Sequence, residues 1–163
     1  MQKMNLKKAY NNWLSAQNFT MFGTLKFYDD EDVDIYTADR RLRLFFNILD
    51  RKIRKHKAIK EGKRIERFVF IERGKSRQHL HAHFFMKAQN IKEHKRIMNW
   101  TPILNTKKLH YGIDIKLQEI DNHTGIIGYC NKEMDNINTD ILVTNCTYII
   151  VTRRSIDEFS ICI

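Results

Sequence analysis

Two short runs, Arg67-Phe-Val-Phe-Ile-Glu-Arg73 and His79-Leu-His-Ala-His-Phe-Phe-Met86, constrain the fold more than any other part of the chain. Both have strand-like composition, and the polar stretch Gly74-Lys-Ser-Arg-Gln78 between them predicts an antiparallel hairpin. Successive side chains of a strand point to opposite faces, so His79, His81 and His83 share one face while Leu80, Ala82 and Phe84 share the other. The apolar set must face a core, which leaves three imidazoles together on the open face. On the preceding run Phe68, Phe70 and Glu72 share a face, and a hairpin of matching register brings Glu72 toward the histidines.

The rest of the chain reads as one sheet-and-helix unit, a single domain over residues 1–163, with no internal repeat and no linker-like stretch. Phe19 to Tyr28 is aromatic and β-branched and runs into the acidic turn Asp29–Asp32, which predicts a first strand. From Thr37, read as an N-cap, the residues Leu42, Phe45, Phe46, Leu49 and Ile53 form the single stripe of an amphipathic helix that ends before Gly62. Asn90 and Glu93 have the spacing of a capping box and open a basic helix that Pro102 is expected to stop. Ile113, Ile115 and Leu117 alternate as a strand. Asp121, Asn122 and Thr124 offer caps for a last helix over 125–135, and residues 141–144 and 148–151 predict closing strands. Strands and helices intermixed around a mostly antiparallel sheet make the class α+β.

Charge narrows the partners. Lys and Arg number 29 against 19 acidic residues, a net charge of +10, which favours a polyanion: nucleic acid first, an anionic membrane surface second. No run approaches the ~20 apolar residues of a membrane span, and the first residues lack a secretory apolar stretch, so a soluble intracellular protein is expected. Cys130, Cys146 and Cys162 are odd in number and far apart, against a disulfide framework or a cysteine-built zinc site.

A carboxylate and two imidazoles suit Mg²⁺ or Mn²⁺ with coordination positions left for a substrate oxygen, whereas structural zinc normally takes four protein ligands. The pairs His79/His81 and His81/His83 both satisfy the strand geometry, and the plainer alternative is a basic sheet with surface histidines. In the last helix Tyr129, Lys132 and Glu133 share a face. A phenol beside an ammonium is a candidate nucleophile, although a tyrosine on a helix is more often a packing residue.

Phe19-Thr20-Met21 in a first strand, His79-Leu80-His81 in a central strand with Glu72 upstream, and Tyr129-Cys-Asn-Lys132 in a later helix resemble, in order and spacing, the three motifs of HUH endonucleases. The nearest likeness is to the rolling-circle replication initiators of small single-stranded DNA viruses, phages and plasmids, over residues 19–135. The first motif departs from the pattern, with Gly23-Thr24-Leu25 where some members carry Asn.

The resemblance implies a ferredoxin-like antiparallel sheet with helices packed on one face and a metal site on the other. It implies that Glu72, His79 and His81 hold Mg²⁺ or Mn²⁺, with His83 as the second choice, because the seven-residue step from Glu72 to His79 suits the family pattern. Tyr129 would attack the scissile phosphate of single-stranded DNA, leaving a 5′-phosphotyrosine and a free 3′-hydroxyl, and Lys132 would orient the phosphate or favour the phenolate. Rejoining by the reverse attack would need no ATP.

Arg51, Arg54, Lys55, Lys57 and Arg64, with Arg73, Lys75 and Arg77 of the hairpin, are the expected DNA-gripping residues, joined by Lys92, Lys95 and Arg96. A charge run of this kind is otherwise a solvated face. The expected partners are single-stranded DNA or an origin hairpin, together with a host helicase and polymerase, because the 28 residues after Asp135 are too few for a helicase domain. No membrane partner is expected. The compartment follows the host: prokaryotic cytoplasm, or the nucleus for a eukaryotic virus. A single-strand transposase or relaxase would share the chemistry, and a non-catalytic nucleic-acid-binding module is the alternative from another class.

Overall fold

The computed structural model describes residues 12–13, 16–27, 33–73, 80–104, 113–120, 142–143 and 146–148. β1 (Met21–Phe27) alternates as its sequence requires, with Met21, Leu25 and Phe27 in the main core and Phe22, Thr24 and Lys26 on the other face. α1 (Ile35–Lys60) buries Leu42, Phe45, Phe46, Leu49 and Ile53, the predicted stripe. Its N-cap is Asp34 rather than Thr37. The Asp34 carboxylate accepts the Thr37 N–H at 2.7 Å, so Thr37 lies inside the first turn. An ionised cap also meets the positive end of the helix dipole, an advantage a threonine lacks. The helix closes in a Schellman turn: Gly62, at φ 75°, donates to the Ile59 carbonyl at 3.0 Å, and Lys63 donates to Ala58 at 2.8 Å.

β2 (Glu66–Arg73) and β3 (Leu80–Lys87) pair antiparallel, with Glu72 opposite His81 and Phe70 opposite His83. α2 (Ile91–Leu104) starts at Asn90, whose side chain accepts the Glu93 N–H at 2.9 Å. Pro102 does not stop this helix, which continues to Leu104. So near the end, a proline forfeits only its own bond to the preceding turn, and burial of Ile97, Thr101 and Leu104 holds the last turn in place. β4 (Ile113–Glu119) pairs with β1, and the two-residue β5 (Leu142–Val143) pairs with β2. Of the expected closing strands, the second is represented by Tyr148, which bridges Arg67.

The sheet order is β4-β1-β3-β2-β5 with every pairing antiparallel. With the element order β1-α1-β2-β3-α2-β4 this is an α+β, ferredoxin-like arrangement, and both helices bury their apolar residues in one cluster against one sheet face. Two features lock that face. Gly23 lets the Phe84 ring cross β1, where a Cβ would lie only 2.1–2.7 Å from ring atoms, and Phe84 then meets Phe46 edge to face at 5.3 Å. Asp50, fully buried on α1, takes a two-pronged contact from Arg67 at 2.8 and 3.0 Å and further bonds from Arg64 and the Ile65 N–H. Arg67 also donates to the Cys146 carbonyl at 2.8 Å, tying helix, sheet and the 146–148 segment together. Cys146 is buried, whereas Cys130 and Cys162 fall outside the described residues.

Candidate metal centre

Alternation along β3 sends Leu80, Ala82, Phe84 and Met86 to the helix face and turns His81 and His83 to the opposite face. The direct pairing of Glu72 with His81 sets the carboxylate beside both imidazoles. One oxygen, Glu72 Oε1, meets His81 Nε2 in a short contact and lies 3.0 Å from His83 Nε2. The three potential ligand atoms fall within 4.8 Å of one another. The other oxygen, Oε2, is buried with no hydrogen-bond partner among the described residues.

The neighbours fix His83. Thr24 Oγ1 lies 3.1 Å from its Nδ1, so the nitrogen facing Glu72 is Nε2, and the orientation of the ring is set by a group outside the cluster. Phe22 stacks on the ring at 5.5 Å between centroids, and Phe70 packs beside it at 5.4 Å. Burial alone would raise the Glu72 pKa. Hydrogen bonds from His81 and His83, with their charges, outweigh it and hold the carboxyl at about 2 against an ordinary 4.5.

This face is not the open surface that the sequence suggests. Glu72 and His83 are only 3% and 5% exposed, and Phe19, Phe22, Phe68, Phe70 and Phe85 form a second buried cluster with Trp13 packed edge-on against Phe68. The aromatic content that marks both strands is therefore spent on two faces rather than one. His81, with 22% of its side chain accessible, is the solvent edge of the site.

The structure brings together Glu72, His81 and His83. His79 of the preferred pair lies outside the described residues, as do Tyr129, Lys132, Lys75 and Arg77. Of the expected DNA-gripping residues, Arg51, Lys55 and Lys57 are exposed, but Arg54 is paired with Glu93 at 2.8 Å and Arg64 with Asp50 at 3.1 Å. Arg54 is thereby withdrawn from the nucleic-acid surface, whereas Arg64 reaches Asp50 from a half-buried position and keeps part of its side chain in solvent. Arg73 stands opposite Leu80 in the ladder, next to Glu72.

Sequence reasoning missed Thr24 and Lys26. Alternation placed them together on β1, but their match to His83 and His81 depends on β1 lying beside β3, a long-range pairing with no local signal. Lys26 is exposed and stands opposite His81 on one side and Asp114 of β4 on the other, so among the described residues it is the cation nearest in register to the site's solvent edge.

No protein family, curated protein or solved structure matches this chain. Among the described residues, no helix is long and apolar enough to cross a membrane.

Proposed function

We propose that this chain is a metal-dependent, single-stranded DNA endonuclease and strand transferase of the HUH type that nicks a replication origin to start rolling-circle replication. The observation that carries the reading is the Glu72–His81–His83 cluster, on the sheet face opposite the helices, with one buried carboxylate oxygen left without a partner. A mixed oxygen and nitrogen donor set of this kind fits Mn²⁺ or Mg²⁺, and the orphaned oxygen is explained by a cation that it would help to hold. When bound, such an ion would polarise the scissile phosphate and offset the charge that develops during its displacement.

The chain's own residues would do the rest. Thr24 keeps His83 Nε2 directed at the ligand cluster, and the Phe22 and Phe70 rings hold that imidazole in place. Lys26 adds a positive charge at the edge where a phosphate would arrive. The Tyr129 phenol would attack phosphorus, forming the Tyr–O–P bond as the bond to the 3′-oxygen breaks. The phenol proton leaves and the 3′-oxygen ends as a hydroxyl able to prime synthesis. Lys132 would favour the phenolate.

A rival role as a base-stacking sheet platform is weakened by the burial of the aromatic residues on this face. The deciding experiment is a labelled pool of single strands and hairpins incubated with Mn²⁺ and run on a denaturing protein gel. Label retained by the wild type, and lost in Tyr129→Phe and in EDTA, is the expected result. Absence of any adduct, with DNA binding intact, would replace the enzyme by a binding module.

A further inference from the structure

The densest charge of the chain lies at the wrong end of the sheet to touch the metal centre. Glu72 is near the end of β2, whereas α1 delivers its basic tail to the start of β2 at Glu66. Six residue steps along the strand separate the two, about 20 Å. α2 begins at that same far end, because β3 runs away from His81 toward Lys87.

There the two helices build one surface. The backbone of α1 breaks at Lys55, with φ 64° and ψ 163°, so the carbonyls just before the break lose their partners in the next turn. Arg96 of α2 takes them, donating to Lys52 at 2.6 Å and to Ile53 at 2.9 Å. Arg54 pairs with Glu93 at 2.8 Å, each side chain only 10% exposed. Two arginines are thereby consumed in fixing the joint, and the cations that face outward are Arg51, Lys55, Lys57, Lys60, Lys92 and Lys95. The acids of this end do not offset them: Glu61 pairs with Lys63 at 2.8 Å, Glu93 with Arg54, and Glu66 stands opposite Lys87. A positive φ at a lysine is costly and is kept only where surrounding contacts over-determine it, as Arg96 and Arg54 do here.

We propose that this basic joint is a second nucleic-acid contact, which holds the phosphate backbone of a duplex while the metal-centre end works on a single strand. It rests on the reading above for DNA as the partner. A duplex fits better than a single strand because cations far outnumber open rings at the joint: His56 is exposed among six outward cations, Trp100 is half-buried beneath the Lys52 ammonium, 4.9 Å from the ring centroid, and the exposed Tyr36 is at the opposite end of α1. A membrane surface fits less well, since Ile91 is the one large apolar side chain strongly exposed at this end among the described residues.

The test compares the full chain with the triple variant Lys57→Gln, Lys60→Gln, Lys95→Gln. The probes are a labelled hairpin duplex, a single strand of equal length, and vesicles of phosphatidylcholine with phosphatidylserine. The variant should lose roughly tenfold or more in duplex affinity at ~0.1 M salt, and its salt slope should fall by about three, near 0.9 for each lost phosphate contact. Its unfolding temperature and Mn²⁺ binding should match the wild type. Unchanged duplex affinity and slope would overturn the proposal, as would tighter binding of the wild type to vesicles than to duplex. Glu72→Gln and Tyr129→Phe separate the two readings: each should abolish the adduct and leave the duplex salt slope intact.

Discussion

Two buried carboxylates on opposite faces of the same sheet have opposite fates. Asp50, on the helix side, has both oxygens engaged, by the Arg67 fork, by Arg64 and by the Ile65 N–H. Glu72, on the other side, presents one oxygen to two imidazoles and buries the other without a partner. A charge removed from water is tolerated when its lone pairs are satisfied, and a half-satisfied one calls for an explanation. Asp50 is part of the frame. Glu72 is left with one oxygen to spare beside two imidazoles.

Removing one partner at the closed end should cost most. Arg67→Ala strips the buried Asp50 of its two-pronged partner and leaves it only Arg64 and the Ile65 N–H, and about 3–5 kcal/mol of stability should vanish in urea unfolding. The double change Asp50→Leu with Arg67→Met should recover most of that loss; if it does not, the pair is doing more than holding α1 to β2. Next comes Gly23→Ala, which drives a Cβ into the Phe84 ring and should cost ~1–3 kcal/mol, readable as a lowered unfolding temperature. A neutral outcome there would mean that the helix face is less tightly closed than its contacts indicate.

Acid sharpens the contrast from the other side. The folded Glu72 pKa, about 2, lies below its ordinary 4.5, so its contribution to stability is fully present above the higher value and is lost as pH falls toward the lower. In EDTA, thermal unfolding of the wild type between those limits should decline more steeply than that of Glu72→Gln. Parallel curves would show that the histidines do not hold the carboxylate as described. The smallest change in stability belongs to Lys26→Ala, within ~0.5 kcal/mol for an exposed side chain, yet strand cleavage should weaken because the cation beside His81 is gone.

How much of this could be read beforehand differs from residue to residue. The side-chain parity of β3 was legible, since Leu80, Ala82 and Phe84 could only face a core. The partner of Glu72 was not, because pairing register is set by the connection between β2 and β3, and the step of seven residues to His79 and the observed partners His81 and His83 have the same parity. Asp50 carried a signal that went unused: it follows Leu49 and falls four residues after Phe46, on the buried stripe of α1. Thr24 had no such signal, because only the sheet order brings it to His83. Asp34 and Pro102 show the limits of local rules, where a better cap upstream and tertiary burial decided the helix ends.

The central claim is that Glu72, His81 and His83 hold a divalent ion, and titration of Mn²⁺ into the metal-stripped protein, followed by calorimetry, tests it most directly. The account predicts one bound ion, lost in Glu72→Gln, His81→Ala and His83→Ala, and stabilisation of the wild type alone by about 2.7 kcal/mol at a hundredfold excess over Kd. His79→Ala run alongside reports whether that residue joins the ligand set. Absence of Mn²⁺ binding, or binding that survives Glu72→Gln, would contradict the account.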